Sequence, residues 1–191
     1  MKHTVVALVE DRPGVLNRVA SLFRRRGFNI DSLAVGTTEE AGISRMTIVV
    51  DGAEGIVEQV ERQLYKLIDV VRVADVTKAE AVSRELALVK VACPIARRHE
   101  LLDLVGIFRG HVVDVSPEHV IVEIAAEQET MTAFIYNLRP FGILELVRTG
   151  RVAMLRGPQT TAVNEAEPEA VQRFHTESGR LPEGELPYVS D

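Results

Sequence analysis

The hydrophobic residues of this chain change period along its length, and that change fixes the class of fold. Residues 4–9 form a short apolar run that predicts a buried strand. Val15, Leu16, Val19, Leu22 and Phe23 then recur at helical spacing. Asp11-Arg12-Pro13-Gly14 before them reads as a helix start and Gly27 after them as a helix stop. Arg24, Arg25 and Arg26 fill the last turn, where cations complement the dipole. Residues 30–37 and 44–50 predict two further strands around the polar turn Glu39-Glu40-Ala41-Gly42. Val57, Val60, Leu64 and Leu67 give a second helical stripe, and residues 70–76 a fourth strand. Strand–helix–strand–strand–helix–strand is the ferredoxin-like order.

The order then recurs. Residues 85–91 predict a strand ended by Cys93-Pro94, and Leu101, Leu102, Val105 and Phe108 a helix. Residues 112–115 and 120–125 predict strands around Ser116-Pro117. Met131, Phe134, Ile135 and Leu138 mark another helix, and residues 143–154 read as one strand-like stretch. Ile107-Phe108-Arg109-Gly110 with Asp114 echoes Leu22-Phe23-Arg24 with Gly27 and Asp31, which supports an internal duplication. The expected class is therefore α+β, with two tandem ferredoxin-like βαββαβ domains over residues 1–77 and 84–157. Residues 78–83 read as the linker, and residues 158–191, acidic and without either hydrophobic period, as a mobile tail.

Composition narrows the function. Of 191 residues 46% are hydrophobic but none is Trp and only 5% are aromatic, so the cores are built from Val, Leu and Ile. A net charge of −6 argues against a general nucleic-acid binder. The single cysteine, Cys93, permits no internal disulfide and suits a reducing cytoplasm. The start carries no signal-peptide pattern, and no apolar run approaches the ~20 residues a membrane helix needs.

Catalytic signatures are missing from the sequence. The five histidines show no metal-ligand spacing, and there is no nucleophile elbow, Walker loop or dinucleotide glycine fingerprint. No catalytic or metal residue is therefore assigned. Asp11-Arg12-Pro13-Gly14-Val15-Leu16 is the segment that can carry ligand chemistry. A helix start exposes unpaired N–H groups and a positive dipole end, which together accept a carboxylate. Gly14 lets a ligand approach the backbone, and Asp11 can cap the helix or hold an ammonium group. Asn29 offers donors and an acceptor at the entry to a strand. Taken alone, these residues are better accounted for by a capped turn with nothing bound.

Asp11-x-Pro13-Gly14-x-Leu16 resembles the signature of ACT domains, ferredoxin-like modules that bind amino acids. The stretch to about Gly157 resembles the small regulatory subunit of acetolactate synthase. The resemblance is carried by Gly27-Phe28-Asn29-Ile30-Asp31-Ser32-Leu33, Ser44-Arg45-Met46-Thr47-Ile48, Phe108-Arg109-Gly110 and Gly150-Arg151. It implies a first domain of ACT type and a chain that activates a catalytic large subunit and confers feedback inhibition by valine. Thiamine diphosphate, magnesium and FAD would reside on that large subunit, with none in this chain. The effector would lie between ACT domains of a homodimer. Gly14 and Val15 would donate backbone N–H to its carboxylate, Asp11 and Asn29 would fix its polar end, and Leu16, Ile30 and Val35 would wall its side chain. The alternative within the same class is an ACT sensor serving a different biosynthetic enzyme. An acylphosphatase-like hydrolase and a ligand-responsive transcription regulator lack, respectively, the glycine-rich anion loop and a DNA-binding element.

Overall fold

In the computed structural model, which describes residues 1–53 and 55–162, the chain forms a four-strand unit and then a five-strand unit, each with two α-helices. The first contains β1 (Lys2–Glu10), α1 (Val15–Arg26), β2 (Asn29–Thr37), β3 (Ile43–Asp51), α2 (Ile56–Leu64) and β4 (Val70–Asp75). Its sheet order is β2-β3-β1-β4, antiparallel throughout, with both central strands flanked on each side. The second contains β5 (Ala81–Ala92), α3 (Arg98–Ile107), β6 (His111–Val115), β7 (His119–Ala126), α4 (Gln128–Leu138), β8 (Ile143–Arg148) and β9 (Val152–Leu155). The order β6-β7-β5-β8 repeats the first sheet, and β9 adds to the far half of β5. Both domains have the ferredoxin-like topology that the hydrophobic periods predict.

Each domain has its own core. Val5, Ala7 and Val9 of β1 face α1 and α2 together with Met46, Ile48 and Val50 of β3. Val15, Val19, Leu22 and Phe23 return that packing from α1, which Gly27 ends in left-handed backbone at φ 70°. Leu16 belongs to the predicted stripe but is 45% exposed, because the core face of a 12-residue helix is narrower than that stripe. In the second domain Phe134 is fully buried against Phe108, with ring centroids 5.3 Å apart. Truncating it should leave a cavity that this aliphatic core cannot refill. Phe134→Ala is expected to destabilise the second domain by about 3–5 kcal/mol, read as a lower urea midpoint.

Two expectations need correction. Residues 81–83, assigned to the linker, belong to β5, because Ala81, Val82 and Ser83 pair with Leu155, Met154 and Ala153. Residues 143–154 are two strands, since the ladder to β5 breaks at Thr149–Arg151 and resumes one step out of register. The helix-free face of the first sheet is closed by this last strand. Val6, on the opposite side of β1 from the core, packs with Val76, Ala153 and Leu155 in a small third cluster. Residues 163–191, which hold most of the predicted tail, lie outside the described residues.

Candidate functional site

The segment between β1 and α1 is a turn built around Gly14. Its backbone lies at φ 89°, ψ −8°, a left-handed conformation that costs an L-residue roughly 1–2 kcal/mol. Gly14 occupies the helix N-cap and no side chain caps the helix. Asp11 therefore does not perform the capping that was one of its two expected roles. Its backbone N–H instead donates to the Gly42 carbonyl at 2.7 Å, which leaves its exposed side chain free for another partner.

The orphan donors of the helix start can be counted. Arg18 N–H makes the first helical bond, to Gly14 O at 3.0 Å, and Val15 N–H makes a long one to Arg12 O at 3.3 Å. Among the described residues no acceptor reaches the N–H of Gly14, Leu16 or Asn17. Of the two expected donors, Gly14 N–H is therefore unengaged and Val15 N–H is held by the Arg12 carbonyl. Val15 points its side chain into the core.

Arg18 and Asp69 brace the turn, and neither was picked out from the sequence. Arg18 Nε and Nη2 donate to the two Asp69 oxygens at 2.6 and 2.8 Å, a bidentate pair. Asp69 is buried and its carbonyl accepts from Glu10 N–H, at the end of β1. The remaining Nη1 lies 3.4 Å from where a Cβ on Gly14 would sit, so a cation stands beside the free N–H groups. The available signal was the one-turn spacing from Gly14 to Arg18, but Asp69 lies 51 residues further on and no local pattern links them. Arg18→Ala would leave the Asp69 carboxylate buried and unpaired. We expect a loss of about 1–2 kcal/mol, discounted for the half-exposed arginine, which urea denaturation would measure.

The strand residues divide between the two ends of the sheet. Val35 pairs with Met46, near the Gly14 end, and is 47% exposed on the edge strand. Asn29 pairs with Asp51, which itself pairs with Lys2, at the start of β1. That places Asn29 about 25 Å from the Gly14 turn, eight residues along β3 at roughly 3.3 Å each. Ile30 sits at the same distant end and packs onto the core. Within one chain, therefore, Asp11, Gly14, Leu16 and Val35 share one end, and Asn29 and Ile30 do not join them. Around Asn29 the charges are paired: Lys2 with Asp31 at 2.8 Å, and the Met1 amine with Asp51 at 3.1 Å. The hydrogen bond from that amine holds the Asp51 carboxyl below its ordinary range.

Comparison with known proteins decides the family. Residues 6–72 match the model of the AHAS small subunit-like ACT domain, and residues 84–157 match that of the small subunit of acetolactate synthase. The chain belongs to the acetolactate synthase small subunits. It is 54% identical over 157 residues to the "Probable acetolactate synthase small subunit" of Archaeoglobus fulgidus, spanning 82% of this chain and 98% of that one. It is 48% identical over 157 residues to the acetolactate synthase small subunit of Mycobacterium bovis, spanning 82% and 94%. The crystal structure of the acetolactate synthase small subunit from Thermotoga maritima superposes with a TM-score of 0.78 at 44% identity, covering 82% of this chain and 98% of that one. Membership of this family, with its ACT-type first domain, supports a regulatory role for this small subunit. No helix among its described residues is long and apolar enough to cross a membrane.

Proposed function

We propose that this small subunit activates a catalytic acetolactate synthase subunit in the cytoplasm and carries its feedback inhibition by valine. The observation that supports this reading best is the Gly14 turn, with three unengaged N–H groups and the Arg18 guanidinium at one spot. These suit the carboxylate of a free amino acid, with Asp11 close by for the ammonium group. Leu16 and Val35, exposed and apolar, suit a small branched side chain. Thiamine diphosphate, magnesium and FAD would reside on the catalytic partner.

The remote position of Asn29 is what calls for a second copy. Among the described residues β2 has β3 as its only strand partner, and Gly150 of the second domain lies against the Leu33 carbonyl midway along it. A twofold-related copy packed antiparallel along β2 would carry Asn29 and Ile30 of one chain to the Gly14 and Val35 end of the other. Each homodimer would then hold two effector sites, each built from both chains.

Calorimetric titration of the purified chain with valine, leucine and isoleucine tests the reading, together with sedimentation in each condition. Saturable binding of valine by a dimer is the expected result. A chain that binds none of the three would remove the effector site.

A further inference from the structure

The break in strand pairing at Thr149–Arg151 falls where the second domain meets β2. Gly150 is pressed against the first domain: a Cβ built there would lie 2.5 Å from Leu33 O and 2.7 Å from Leu33 C, both backbone atoms. Arg151 N–H donates to Ser32 Oγ at 2.9 Å. The Arg151 guanidinium then reaches Thr4 Oγ1 on β1 at 3.2 Å, Gln128 Oε1 at the start of α4, and Glu85 Oε1 on β5 at 3.8 Å. Glu85 is buried and is held in turn by Arg148 Nε at 2.7 Å. Two consecutive residues thus join β1 and β2 of the sensor domain to β5, β8 and α4 of the second. Beside this junction lies an open cleft of about 490 Å³, lined by Leu33, Val35, Leu86 and Val152 among others. The domains touch at Gly150–Arg151 and again where Ala153 and Leu155 pack on Val6 and Val76, with this cleft beside the first contact.

We infer that Gly150 and Arg151 relay the effector signal from β2 to the second domain. The inference rests on the effector reading above, because β2 carries Asn29, Ile30 and Val35. A ligand that shifts this strand must move the Ser32 hydroxyl and the Leu33 carbonyl, and the Gly150 backbone has no slack in which to absorb the movement. The contact at Arg151 passes the shift to Glu85 and so to the central strand of the second sheet. Gly150 and Arg151 are positioning residues: they touch no effector and alter only what its binding does elsewhere.

The test uses the complex of small and catalytic subunits. Ser32→Ala removes the acceptor of the Arg151 N–H and nothing else of size. Gly150→Ala forces the two backbones apart, and Ser32→Ala serves should that variant fail to fold. Valine binding is measured by calorimetry with and without the catalytic subunit, and acetolactate formation with and without saturating valine. Both variants are expected to activate the catalytic subunit and, as free subunits, to bind valine within roughly twofold of wild type, yet to stay largely active when saturated. Coupling is reciprocal and commonly amounts to roughly 5–150-fold. The change in valine affinity that the catalytic subunit causes in wild type should therefore shrink by at least about fivefold in the variants. Variants that bind valine and are inhibited as fully as wild type would overturn the relay. Loss of valine binding by the free Ser32→Ala subunit would overturn it too, by placing Ser32 in the effector site. Failure of the wild-type chain itself to bind valine is a separate result that removes the effector site and not merely its relay.

Discussion

Gly14→Asp is expected to abolish inhibition by valine while the variant still activates the catalytic subunit. Two effects act together. The new carboxylate would project toward Arg18 Nη1, 3.4 Å from its Cβ, and place a negative charge where the effector carboxylate must sit. Hydrogen bonds to a charged group contribute about 1.5–3 kcal/mol each, so losing two of them raises the concentration needed for half inhibition by a hundredfold or more. The second effect is strain, since an L-residue at φ 89° costs roughly 1–2 kcal/mol. Both arise at the turn, about 25 Å from the far end of the sheet and outside the second domain. Acetolactate formation across a valine titration, with basal activation measured in parallel, gives the answer. A variant as sensitive as wild type would exclude the Gly14 turn from the site.

The second expectation concerns hybrid dimers. Asn29→Ala and Gly14→Asp should each lose valine binding as homodimers. If Asn29 completes the site of the opposite chain, a purified hybrid of the two variants concentrates both lesions in one site and leaves the other wild type. Calorimetry should then find about half the wild-type number of sites in the hybrid. A site contained within one chain predicts no binding at all in the same hybrid. The contrast is between half occupancy and none, and the two variant homodimers, each measured alone, establish that either lesion by itself abolishes binding.

What could be read from the sequence were features with local causes. The helix α1, its stop at Gly27 and the alternation of Met46, Ile48 and Val50 follow from residues within one turn or one strand of each other. The turn at Gly14 was legible because proline, glycine and the apolar helix stripe are neighbours in the chain. Features with distant causes were not legible. Residues 81–83 look like linker until their partners some 70 positions later are known, and the interruption at Gly150 answers to Leu33 in the other domain. Arg18 reads as an ordinary surface cation until Asp69 is placed beside it. Asn29 does begin a strand, as its position suggested, but only the register of β2, β3 and β1 shows that it lies at the far end of its own sheet from Gly14.

The strand that returns from the second domain to shield Val6 makes the first domain non-portable. An excision ending near residue 77, the natural place to cut by periodicity, would strip Ala153 and Leu155 from Val6 and Val76 and leave those side chains wet. Chimaeras that exchange ACT-type domains between relatives should therefore carry this C-terminal segment along with the first domain, because Ala153 and Leu155 complete its surface.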